Sequence, residues 1–315
     1  MVALPPTTQQ TADAIYAAIE AAHDEGERTY LGASVIGDKC ERKLWYAFRW
    51  ATPPEKFSGR MLRLFATGHV QEARLVEDLR RAGILVYDRD GEKQIGVTAV
   101  GGHFRGHLDG IAERVPEAPK ALHVLECKTH SAKSFKELTA MGVAAAKPMH
   151  MAQMQVYMHL RDINRALYLA VCKDDEQIYV ERVHYDAAMA IALIAKAERI
   201  ITANSPPPRL HDDIEAKVAW ECRYCSMRGV CHDGEMPRTN CRTCLHSEPI
   251  MGGDGDWWCA RHHRHIDADQ QRAGCPNHLH LPGLIPGKQI DASEEEEWVE
   301  YRMRDGSIWR DGAAA

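Results

Sequence analysis

Gly106-His107-Leu108-Asp109-Gly110 and, further on, Leu125-Glu126-Cys127-Lys128 are the stretches from which the rest of the chain is read. Alternation of apolar and polar residues predicts strands over 93–98, 104–112 and 122–128. In the last of these, period two puts Val124, Glu126 and Lys128 on one face and Leu125 and Cys127 on the other. Two carboxylates and an amine on adjacent strands are what hydrolysis of a phosphodiester demands: a cation held at the phosphate, a placed water and a stabilised leaving oxygen. Mg²⁺ or Mn²⁺ takes oxygen ligands and leaves room for water. Asp109 and Glu126 offer such ligands, and the carbonyl of Cys127 adds another. Lys128, on the Glu126 side, is placed to orient or deprotonate the water.

A strong helix is predicted over 59–81. Its stripe of Leu62, Phe65, His69, Glu72, Val76 and Leu79 steps by three and four, so His69 and Glu72 lie on the face expected to be buried. A buried carboxylate needs a partner or a metal, which makes Glu72 the helix ligand and His69, one turn earlier, the second candidate. Other helices are expected over 8–23, after an Asp38 cap in a segment carrying Cys40, Leu44 and Trp45, over 147–161, and over 186–203. Pro206-Pro207-Pro208 closes the last of them, and 166–172 with 177–184 read as a strand pair. Gln153 and Tyr157 stand at i and i+4 and share a helix face.

In that order, Gly68-x-x-x-Glu72, Gly106-x-x-Asp109, Glu126-Cys127-Lys128 and Gln153-x-x-x-Tyr157 resemble the motifs of the PD-(D/E)xK nuclease superfamily, in its RecB-like exonuclease branch. The resemblance covers about residues 34 to 232. It implies an α/β restriction-endonuclease-like core, a mixed central sheet flanked by helices, with the site at one sheet edge. It makes Asp109 and Glu126 metal ligands, Lys128 the catalytic lysine and Glu72 the helix carboxylate. Gln153 and Tyr157 would touch DNA or position the lysine. Many members carry His at the helix position, so His69 and Glu72 both stay in play.

Eight of the ten cysteines fall into two groups. Cys40 lies upstream of every motif, and Cys222, Cys225 and Cys231 lie downstream. Four thiolates suit zinc or an iron–sulfur cluster. The order resembles that of the iron–sulfur RecB-like nucleases, which implies a [4Fe–4S] cluster closing a loop of about 180 residues. Cys241, Cys244, Cys259 and Cys275 read as a zinc knuckle, with His246, His262, His263 and His278 as substitute ligands. Trp257 and Trp258 either stack on DNA or pack that module's small core. Cys127 and Cys172 read as core filler.

A net charge of −6 gives no basic footprint overall, although Arg42, Lys43, Arg49, Arg60 and Arg63 suggest a basic patch, and Arg223, Arg228, Arg238 and Arg242 surround the later cysteines. No apolar run reaches membrane-spanning length, and the first residues lack a secretory start. A reducing cytoplasm suits metal-ligating cysteines.

The expected organisation is a nuclease domain over 1–235, a zinc module over 236–288 and a weakly ordered acidic tail over 289–315 containing the solvated run Glu294–Glu297. The expected activity is Mg²⁺- or Mn²⁺-dependent exonucleolytic hydrolysis of DNA ends in recombination or repair, of phage type. An oligomer or a single-strand annealing or recombination protein would be its associates. The alternatives are a non-catalytic DNA-binding or assembly subunit with architectural metals, and a CRISPR-adaptation nuclease.

Overall fold

A five-stranded mixed sheet carries the motifs. The computed structural model describes residues 10–23 and 26–312. Residues 1–9, which hold the N-terminal segment and the first two positions of the expected 8–23 helix, lie outside those, as do 313–315 of the tail. Across the sheet the strands run Ile178–His184, Arg165–Cys172, His123–His130, Gly110–Glu113 and Leu85–Tyr87. His123–His130 pairs parallel with Arg165–Cys172 and antiparallel with Gly110–Glu113. The parallel pair requires a crossover, which helices α4 (Ala132–Ala146) and α5 (Pro148–Arg161) provide.

Both faces of the sheet are covered. Helix α3 (Gly59–Arg81) packs Leu75, Val76 and Leu79 against Leu125, Cys127, Leu167 and Leu169. Val124, Tyr168 and Ala170, on the other face, join the main core with α5 and α6 (Ala187–Thr202). The alternation that separates Glu126 from Cys127 therefore separates two cores. Among the described residues no helix is long and apolar enough to cross a membrane.

Several expectations change. The 104–112 strand is two strands, Phe104–His107 and Gly110–Glu113, in different sheets. Leu108, wholly buried, donates its N–H to Ile95 at the break, and Asp109 turns away toward Cys127. The 93–98 strand is likewise divided, into Lys93–Gln94 and Gly96–Ala99. The cap of α2 (Glu41–Phe48) is Cys40 itself, whose Sγ accepts Lys43 N–H. Asp38 instead accepts the Cys40 N–H at 2.9 Å and pairs with Lys43. Helix α4 was not expected. It contains Gly142 at φ 73°, where Glu181 accepts the Val143 N–H at 2.8 Å.

The acidic tail is a further correction. Gly287–Ser293, Trp298–Met303 and Ile308–Gly312 form an antiparallel three-stranded sheet. Tyr301 and Val299 are buried under it, and Glu294–Glu297 fall in the turn between its first two strands. Composition pointed to weak order, but apolar residues at alternate positions, with Ile285 beside them, give the strands a small buried face.

Core packing also runs unbroken across 235/236: Trp257, Cys259, Ile266, Leu281 and Leu284 belong to the same cluster as Trp45, Phe48 and Phe104. Arg242 is sandwiched there, 3.8 Å from the Trp50 ring centroid and 4.8 Å from that of Trp257, with its guanidinium donating to Phe48 O and Thr29 O.

Candidate active site

The site is built at the middle strand of the sheet, not at an edge. Glu126 sits opposite Tyr168 in the parallel ladder and is fully buried. Lys128 Nζ meets its Oε1 and also reaches Cys127 O at 3.3 Å. Asp109, at the start of the neighbouring strand, accepts the Cys127 N–H through Oδ2 at 2.6 Å. Gln153 Nε2 donates to Glu126 Oε2 and to Tyr157 Oη, both at 3.1 Å. The i, i+4 pair of α5 is thereby joined to the carboxylate. Gly106 is required here: a Cβ at that position would stand 2.7 Å from Tyr157 Oη.

These side chains form an electrostatic unit. Burial pushes Glu126 up to about 7, with Asp109 and Glu72 raising it further against the pull of Lys128. Burial likewise raises Asp109 and Glu72, and Lys128 opposes the rise at both. Burial disfavours the charge on Lys128, but Glu126 and Asp109 outweigh it and hold the amine above its ordinary value. Three carboxylates thus share one ammonium. That donor set suits a divalent, oxygen-loving cation, which would relieve the carboxylate repulsion. Asp109, Glu126, Glu72 and the Cys127 carbonyl are the groups that would hold it.

His69, Glu72, Asp109, Gln153 and Tyr157 line one cleft of about 660 Å³. The stripe of α3 is only partly buried as a result: Leu62, Val76 and Leu79 pack inside, whereas Phe65 and His69 are exposed and Glu72 half-buried at the cleft. His69 is near enough to Glu72 and Asp109 to favour their charged forms.

Arg28, Arg80, Arg89 and Arg105 surround the carboxylates. Sequence reading missed all four, since they come from separate segments and form no local motif. Arg80 donates to Val86 O and Asp88, and Arg105 to Gly102 O and Asp254, while Arg28 and Arg105 both stack on Tyr30. Of the basic patch expected from Arg42, Lys43, Arg49, Arg60 and Arg63, Arg60 and Arg63 are exposed, and the other three are engaged. Arg49 is wholly buried under Trp45 and Trp257, Arg42 is tied to Tyr46 and Pro207 O, and Lys43 to Asp38. Nor do the later arginines make a free basic surface, for Arg242 is buried, Arg238 pairs with Glu27 and Arg228 with Asp233.

Cys40, Cys222, Cys225 and Cys231 line one small cavity with Lys43, Arg228 and His232. Burial raises the thiols of Cys222 and Cys225, and the other cysteines of the group raise them further. Cys241, Cys244, Cys259 and Cys275 line a second cavity with His246 and His278. There burial and then Cys244, Cys275 and Cys259 push Cys241 up to about 12. Cys127 and Cys172 are buried in the two cores, away from both groups.

Among protein-family models none matches this chain, and among curated proteins none matches it either. Solved structures do match. SSO0001 is 17% identical with a TM-score of 0.42, over 71% of this chain and 97% of that one. LHK-Exo of Laribacter hongkongensis, in complex with dAMP, is 14% identical with a TM-score of 0.39, over 58% and 88%. A phage-related exonuclease from Haemophilus somnus 129PT is 13% identical with a TM-score of 0.38, over 57% and 93%. Such likeness is slight.

Proposed function

We propose that this chain is a metal-dependent deoxyribonuclease acting on DNA ends. The observation that supports it is the convergence of Glu72, Asp109, Glu126 and Lys128 beneath an arginine-rimmed cleft. A bound Mg²⁺ or Mn²⁺ would supply charge neutralisation at the phosphate and an acidified water. The chain's own residues do the rest. Asp109 and Glu126 are fixed by a backbone N–H and by Gln153, so they present oxygens without reorganising. Lys128 acts here as an ammonium that orients a water oxygen or steadies phosphate charge, because its neighbours keep it protonated. Arg28, Arg80, Arg89 and Arg105 suit the phosphodiester backbone on either side.

In the same reading Cys40, Cys222, Cys225 and Cys231 hold a [4Fe–4S] cluster, and Cys241, Cys244, Cys259 and Cys275 hold zinc. Both are structural. The cluster links the start of α2 to a segment nearly two hundred residues later, which restricts the unfolded chain. End processing in recombination or repair, assembly with an annealing protein and a cytoplasmic location belong to this proposal as well.

The test is digestion of end-labelled single- and double-stranded DNA with Mg²⁺ or Mn²⁺, by anaerobically purified parent and by Lys128→Ala. Shortening by the parent and a loss of about 100-fold or more in the variant is expected. Binding without cleavage by a parent that retains its iron would overturn the enzyme and favour an assembly subunit.

A further inference from the structure

Away from the cleft, His278, His280 and Asp311 each bring one ligand atom to within 4.8 Å of the others. Among the described residues it is this trio, and neither cysteine quartet, that is drawn so close. All three are buried, at 7%, 6% and 5% exposure. His278 and His280 flank Leu279, whereas Asp311 comes from the last strand, Ile308–Gly312.

Each histidine keeps a nitrogen in reserve. His278 Nε2 lies 3.0 Å from Asn240 O and 3.2 Å from Thr243 Oγ1. A carbonyl only accepts, so Nε2 carries the proton and Nδ1 keeps its lone pair. His280 Nδ1 stands 3.2 Å from both oxygens of Asp311, and its Nε2 is buried without a hydrogen-bond partner. The ring centroids are 4.3 Å apart, edge to face. Asp311 also accepts the His280 backbone N–H at 2.6 Å, and no Lys or Arg pairs with it among the described residues. Ligand atoms on a tetrahedral ion with bonds of about 2.0 Å stand about 3.3 Å apart, so His280 Nδ1 and an Asp311 oxygen are spaced to share one cation.

We propose that His278, His280 and Asp311 form a structural site for a divalent cation, zinc by ligand type, with a ligand set of its own although His278 also lines the cavity of the second cysteine group. Its burial excludes a substrate, so its role is attachment. The C-terminal sheet has a core of only Ile285, Val299 and Tyr301, with Met303 and Trp309 against it. Three strands with so little apolar surface need an external anchor. An ion here would tie the last strand to the His278–His280 segment, which bridges to Cys244 through His280.

The experiment is elemental analysis of the full chain purified with zinc, comparing the parent with Asp311→Asn and His280→Gln. Both variants are expected to lose one zinc per chain with iron unchanged. Variants that retain the parent's zinc content would overturn the site. Should the variants not fold, cadmium-loaded parent is read by cadmium NMR. A resonance in the nitrogen and oxygen range supports the site, and thiolate resonances alone overturn it.

Discussion

Glu126 is the residue on which the site's pH behaviour turns. Its folded pKa of about 7 lies above its ordinary 4.5, so the fold holds this proton more tightly than the unfolded chain does. The stability it contributes is therefore present below about 4.5 and is lost as pH rises toward 7, by about 3 kcal/mol across that window in metal-free protein. His103 and His130, which burial lowers to about 4, act with the opposite sign, losing stability as pH falls below 6.5. Comparison with Glu126→Gln cancels them. The Tm difference between parent and variant should grow more unfavourable to the parent from pH 4.5 to 7, and a pH-independent difference would refute the assignment. Gly106→Ala is the second residue-scale prediction. Its Cβ would displace Tyr157 and, through Gln153, Glu126, so DNA cleavage should fall along with about 1–3 kcal/mol of stability in urea unfolding.

At the scale of elements, α3 and α2 each carry one decision. In α3, Glu72 is half-buried against Asp109 while His69 is exposed at the cleft. Glu72→Gln should thus weaken the apparent affinity for Mn²⁺ in cleavage assays more than His69→Ala does; the reverse order would make His69 the ligand. In α2, Cys40 is both the N-cap and a member of the cysteine group. Cys40→Ser keeps a good cap but removes a soft ligand. The variant should retain the helical circular dichroism of a folded chain, lose bound iron and unfold at a lower temperature. Full iron content in Cys40→Ser would show that the other three cysteines hold the metal without it.

The whole molecule is held across its length by the buried arginines. Arg242 donates to Phe48 O, Thr29 O and Gln271 while stacking on Trp50 and Trp257, and Arg49 reaches Arg242 O. Burial lowers Arg49 to about 10 and Arg242 to about 9, the proximity of Arg49 adding to the second. Arg242→Ala would leave buried acceptors unpaired and a void between aromatic rings, for a loss of about 3–5 kcal/mol in denaturant unfolding. Because the cysteine-bearing segment shares the main core, that loss should appear in one transition detected equally by fluorescence and far-ultraviolet circular dichroism. Two separated transitions would mean that the segment folds apart.

Local pattern determined much of this protein. The 59–81 helix, the strand pair beyond 165 and the face shared by Glu126 and Lys128 follow from periodicity, which the backbone geometry of each element imposes within a few residues. The cysteines after 220 group by spacing, whereas Cys40 and the order of Glu72, Asp109, Glu126, Lys128, Gln153 and Tyr157 took their meaning from the family resemblance. Tertiary structure alone decided the break at Leu108 and Asp109, where burial of one side chain and a hydrogen bond from Cys127 interrupt an otherwise regular strand. It decided which arginines are free, since Arg49 and Arg242 look like surface cations in sequence and become interior ones only when aromatic rings from distant segments close over them. It also ordered the acidic tail, because Tyr301 and Asp311 find their partners in Ile285 and His280, outside the composition window that made the tail look solvated.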